Sequence, residues 1–191
     1  MAIFLILAPY GAFTFLMFVA SALVSVFTAS AICLATIAID LWYGRSVKTL
    51  AAGSAIIFAA IGLYLLLVDP AFGTLGVKVS IDTGIFVLSL GSMLIRRPFT
   101  LQYAIEAVPA ETAAMPGFLR ANYYITAAWT AAALLMLAAN VVLLYVPGLP
   151  IWSSIAIAFA ARNSALYFTK WYPEYRKIKY GTPPNALPHP H

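Results

Sequence analysis

The chain has 191 residues, of which 63% are apolar and only 9% charged, with a formal net charge of +5 at pH 7. A soluble domain carries about 25% charged residues, so a water-soluble fold of this size is excluded. The basic excess does not point to nucleic acid, because the Lys and Arg residues flank apolar stretches, where lipid head groups and membrane insertion account for them.

No Asp, Glu, Lys or Arg occurs before Asp40, between Lys48 and Asp69, or between Arg120 and Arg162. Such stretches are soluble in hydrocarbon, and at about 20 residues per crossing the chain accommodates roughly five or six helices with short connections. One polytopic domain over residues 1–180 is the economical organisation.

Residues 1–39 would be roughly 58 Å long as one helix, about twice the hydrocarbon thickness. A break is expected at Pro9-Tyr10-Gly11, with a second weak point over Ser21 to Ser30. These predict an N-terminal re-entrant or interfacial helix followed by a first full span from about Leu23 to Tyr43. The N-terminal run has no basic n-region and no clear cleavage site, so it is expected to stay in the mature protein.

Trp42 and Tyr43 then form an aromatic belt, and Arg45 and Lys48 a basic loop, which marks a cytoplasmic exit. The second span, Thr49 to Val68, ends at Asp69-Pro70 and an outer Gly-containing turn. The third, Val77 to Ile95, is roughly 27 Å long and lies between Lys78 and the pair Arg96-Arg97. Pro98 to Gly117 is the longest polar connection, and its pattern suggests a short surface helix with Glu106 outward. Asn122 to Tyr145 makes the fourth span, Pro147 to Pro150 an outer turn, and Ile151 to Trp171 the fifth. Lys170, Arg176, Lys177 and Lys179 hold the C-terminus inside, so nine of the eleven basic residues share the cytoplasmic side. The fold class is therefore all-α integral membrane, five transmembrane helices plus the N-terminal apolar helix. The Pro-rich residues 181–191 are expected to form a disordered cytoplasmic tail.

The segment Gly91-Ser92-Met93-Leu94-Ile95-Arg96-Arg97-Pro98-Phe99 resembles the small-residue, basic-basic-Pro pattern of the bacterial intracellular septation protein A family. Phe4, Leu5 and Pro9 at the start, Lys78 at the head of the third span, and Ala139-Asn140 followed by an aromatic residue and Pro147 agree in order with it. The family usually carries an acidic residue before the early Pro and a Tyr-Lys and Asp soon after, where this chain is apolar around Ile6 and Met17 to Val19. The resemblance implies a five-span bacterial inner-membrane protein with an outside N-terminus. It also implies a role in envelope integrity or septation through membrane lipids and envelope or division proteins, without catalytic chemistry.

Among candidate residues Arg162-Asn163 stands out, because an Arg about halfway along a span costs several kcal/mol unless it pairs, lines water or snorkels. No acid lies at an obvious matching depth. Ser89, Ser92 and Asn140 could approach it and form a polar patch for an anionic head group; the alternative is an Arg162 that snorkels toward Lys170. Arg96 and Arg97 are candidates for lipid phosphate or plain topology anchors. Lys78 with Asp82, and Asp40 with Arg45, read as structural pairs. Ala127, Ala128, Ala131 to Ala133, Ala138 and Ala139 argue close helix packing or homo-oligomerisation.

No cofactor or metal is implied: Cys33 is the only cysteine, and His189 and His191 are too few for a closed site. Nucleophile elbows, paired intramembrane carboxylates and phosphate-cradling Gly loops are missing, which predicts a non-enzymatic protein. Two functions stand: envelope assembly, or a small transporter or lipid-binding protein using a buried polar site around Arg162.

Overall fold

A computed structural model describes residues 2–146 and 148–180, the side chains of residues 2–6, Pro116 and Tyr180 excepted. The expected tail at 181–191, including His189 and His191, lies outside the described residues, as does Pro147. Within them the chain is all-helical: α1 (Ala2–Val19), α2 (Ala22–Trp42), α3 (Thr49–Leu67), α4 (Thr74–Leu94), α5 (Phe99–Ile105), α6 (Ala110–Ala113), α7 (Pro116–Tyr145) and α8 (Ile151–Tyr180). Four helices are long and apolar enough to cross a membrane: α2, α3, α4 and, from Gly117, α7.

Three boundaries differ from the sequence expectation. The helix does not break at Pro9 but runs through it to Val19. A proline removes one backbone hydrogen bond, and here packing outweighs that loss: the Tyr10 and Phe13 rings lie 5.9 and 5.6 Å from Phe58 of α3. The chain turns instead at Ala20–Ser21, where the Ser21 hydroxyl caps α2 by accepting from the Val24 amide at 3.3 Å. Next, α4 begins at Thr74 rather than Val77, which sinks Lys78 and Asp82 deeper into the helix. Finally, α8 continues past Trp171, through Pro173, to Tyr180. The Tyr172 ring, 5.7 Å from Tyr124, and a hydrogen bond from Arg176 to the Gly117 carbonyl hold this last part against the start of α7.

Each long helix packs on the next: α1 on α2, α2 on α3, α3 on α4, α4 on α7, and α7 on α8. Connections of a few residues make these neighbours antiparallel, except that α4 and α7 are joined through α5 and α6 and show their antiparallel register in the bonds Asp82–Asn140, Ser89–Thr130 and Met93–Tyr123. The main core lies among α1 to α4, with Phe13, Val26, Cys33, Phe58 and Ile81 buried. Close approach depends on glycine: a Cβ at Gly53 would collide with the Leu88 side chain, and one at Gly62 would press on the Phe27 ring. The second core is small, Ala132 against Ala161 and Ala165, flanked by Trp129 and Met136. Part of the alanine face is thus consumed by packing within the chain. Large side chains such as Leu66, Leu67, Leu134, Leu135 and Phe159 point outward, an apolar exterior that suits lipid rather than water.

The short helix α5 is bound to its surroundings by polar contacts. Ser92 accepts from the Phe99 amide at 3.1 Å, Thr100 meets Thr126 at 2.7 Å, and Gln102 pairs with the backbone and side chain of Thr49 at 2.7 and 2.6 Å. Helix α4 ends with the Arg97 amide donating to Ser92 at 2.9 Å and the Arg96 amide to Met93 at 3.0 Å. This closing motif puts Arg96 at φ 59°, a conformation that glycine adopts freely and that costs other residues about 1 kcal/mol. Helix α2 closes in the same way, with Gly44 at φ 68°.

Candidate functional site

Where the α4, α7 and α8 side of the bundle faces α1 and α5, a cavity of about 810 Å³ opens. That volume falls in the range of roughly 300–1,000 Å³ typical of small-molecule sites. Its wall follows helical periodicity: Asp82, Ile85 and Ser89 on α4, Ile125, Trp129 and Met136 on α7, and Arg162, Leu166 and Lys170 on α8. Helix α1 contributes Leu7 and Tyr10, and α5 contributes Thr100 and Tyr103. Along α8 the lining extends from Arg162 to Pro173, roughly 16 Å at 1.5 Å per residue.

Besides the exposed Lys170, two turns further along α8, the cavity is lined by the opposite charges of Arg162 and Asp82. Among the described residues neither makes an ion pair within 4.0 Å. Asp82 instead accepts a hydrogen bond of 2.7 Å from the Asn140 amide, and the buried Asn140 Oδ1 has no hydrogen-bond partner. Two opposite charges thus stand in a largely carbon wall, one carboxylate oxygen supported by an amide and the guanidinium without a fixed partner.

This overturns the expectation that no acid matches the depth of Arg162. Asp82 was placed near the outer interface with Lys78 because the span was taken to begin at Val77. With α4 starting at Thr74, Asp82 lies eight residues in, roughly 12 Å, and Arg162 eleven residues into α8, roughly 16 Å. The expected Lys78–Asp82 pair does not form within 4.0 Å. Asp40 and Arg45 do pair, at 3.7 Å.

The other candidates separate. Ser89 lines the cavity while bonding Thr130 at 2.6 Å, and Asn163 reaches the cavity while donating to the Phe159 carbonyl of its own helix at 2.7 Å. Asn140 is joined to the site through Asp82. Ser92 does not line it; its hydroxyl is spent on the α4–α5 junction. Arg96 and Arg97 are exposed at the foot of α4, likewise outside the cavity.

A smaller cavity of about 430 Å³ adjoins the first, with Tyr10, Leu50, Tyr103 and Ala107 lining both. It contains a contact that the sequence gives no sign of. Lys48, expected as a solvated loop anchor, is 3% exposed, hydrogen-bonded to Glu106 and to the Ser46 carbonyl at 3.0 Å, with its ammonium 5.9 Å from the Tyr103 ring centre. Glu106 is thus not simply outward. Partial burial pushes its carboxyl up, but hydrogen bonds from Lys48 and Ser46 outweigh that and hold it below the ordinary range. Burial keeps the Tyr103 hydroxyl above its ordinary range, so it stays protonated. Only residue separations of 58 and 60 connect these partners, which explains why no local pattern announces them.

Among the described residues, no group of three or more His, Cys, Asp or Glu is placed to hold a metal ion. Comparison with protein families, with curated proteins and with solved structures returns no match.

Proposed function

We propose that this chain is a non-enzymatic, multi-pass membrane protein that binds a small amphiphile through its acidic group at Arg162. The observation that carries this reading is the cavity of about 810 Å³, which sets one guanidinium in a largely apolar wall without an ion-pair partner within 4.0 Å among the described residues. An intramembrane Arg of this kind is costly unless something anionic or wet meets it. In this reading Arg45, Arg96 and Arg176 lie on the cytoplasmic side of a bacterial inner membrane, which the bias of basic residues toward one set of loops supports. With α8 as a fifth span, the C-terminus is cytoplasmic, and α1 is a re-entrant or interfacial helix packed on α2.

A direct test uses Trp129, which lines the cavity, as a reporter. In a Trp42→Phe, Trp152→Phe, Trp171→Phe background, a brominated lysophosphatidylglycerol should quench Trp129, and Arg162→Ala should remove that quenching while thermal stability is kept. Quenching equally strong in Arg162→Ala, or none by any acidic amphiphile, refutes the reading.

The second reading is the envelope-assembly role that the septation protein A resemblance implies. The exposed Arg96 and Arg97 beside α5 support it as a basic surface for division or envelope proteins and lipid phosphate. Site-specific crosslinking from position 97 in living cells should then capture a discrete partner or a second copy, and crosslinks to lipid alone would count against it.

A further inference from the structure

Apart from the exposed Lys170, two turns further along α8, the cavity presents two charges of opposite sign, on α4 and α8 and unpaired with each other. We propose that it selects a zwitterionic amphiphile, whose acidic group meets Arg162 and whose ammonium meets Asp82. This rests on the ligand-binding reading above and names the class of ligand.

The reasoning is one of charge compensation. An anionic amphiphile satisfies Arg162 but brings a second negative charge beside Asp82, in a largely apolar setting that screens the repulsion less than bulk water does. A cationic one reverses the problem. A head group carrying both charges a few bonds apart neutralises both side chains at once, which an apolar cavity rewards more than bulk water does. Asn140 fits this role: its amide holds one carboxylate oxygen of Asp82 at 2.7 Å, which orients the other, while its own Oδ1 remains without a partner. The remaining wall, Ile85, Ile125, Trp129, Met136 and Leu166, is carbon-rich and suits an aliphatic tail. Phosphoethanolamine esters and apolar amino acids share this head-group chemistry.

The test compares ligands on an unaltered cavity wall, in the Trp42→Phe, Trp152→Phe, Trp171→Phe background, whose replaced residues all lie outside the cavity. With Trp129 as reporter, brominated lysophosphatidylethanolamine should bind at least tenfold tighter than brominated lysophosphatidylglycerol or a brominated alkylamine. Glycerophosphoethanolamine, the same head without a tail, and free leucine should compete poorly. Asp82→Asn should erase the preference for the zwitterion over the anion. If lysophosphatidylglycerol binds as tightly as the zwitterion, and in an Arg162-dependent way, the zwitterion proposal is overturned and the acidic-ligand reading stands. If leucine or the tail-less head binds as tightly as the tailed molecule, the amphiphile is wrong and a small zwitterionic solute takes its place. If none of these ligands quenches or competes, both readings fall.

Discussion

The two sides of this bundle solve the packing problem in opposite ways. Among α1 to α4, large side chains such as Phe13, Phe58 and Ile81 fill the interior, and glycines at 53 and 62 admit neighbouring side chains. Among α4, α7 and α8, the shared core shrinks to three alanines, and beside it an 810 Å³ cavity holds Asp82 and Arg162. In lipid no hydrophobic force drives helices together, so stability comes from close packing and helix-to-helix hydrogen bonds. The packed side therefore supplies the rigidity against which the open side can keep two charges poorly satisfied. The proposed binding site lies where packing is given up.

This contrast can be broken by substitution. Phe58→Ala empties the centre of the packed side and should destabilise by about 3–5 kcal/mol, read as a fall in the thermal or denaturant midpoint in detergent. Gly53→Val would force Leu88 aside and should cost about 2 kcal/mol, with part of the loss recovered in the double variant Gly53→Val, Leu88→Ala.

Glu106→Gln removes the carboxylate that neutralises the buried Lys48, and should cost about 1 kcal/mol because Glu106 itself is partly solvated. Its pH dependence has a definite sign. The Glu106 carboxyl is held below its ordinary value, so the wild-type advantage is complete above about pH 4.3 and lost as pH falls further. Wild type and Glu106→Gln should converge in stability under acid, and a gap that widens there would contradict the pair. Smallest of all, Leu166→Ala on the cavity wall should cost less than about 1 kcal/mol, since that side chain already faces a void. A cost as large as that of Phe58→Ala would mean that the two sides are packed alike.

Much of the helical layout was legible in the chain. Apolar runs ending in Trp42-Tyr43, Asp69-Pro70 and Arg96-Arg97 place the ends of α2, α3 and α4 within a few residues. The helix interior at Pro9 was not, because proline's local penalty is visible in sequence and the Phe58 surface that offsets it is not. Arg162 stood out at once as a charge in an apolar stretch. Its companion Asp82 was hidden by a start placed three residues late: Gly73, the residue just before α4, was read as part of the turn, although glycine there also serves as an N-cap.

The sequence alone determined that this is an all-helical chain with apolar helices long enough to cross a membrane, since hydrocarbon admits neither scattered charge nor unpaired backbone, and both show in composition and periodicity. Tertiary structure decided which polar groups meet. Asp82 with Asn140, Arg162 in the same cavity and Lys48 with Glu106 are brought together across separations of 58 residues or more. Helix rotation and tilt, set by how glycines, alanines and aromatic rings fit between neighbours, fix those encounters, and no local pattern along the chain records them.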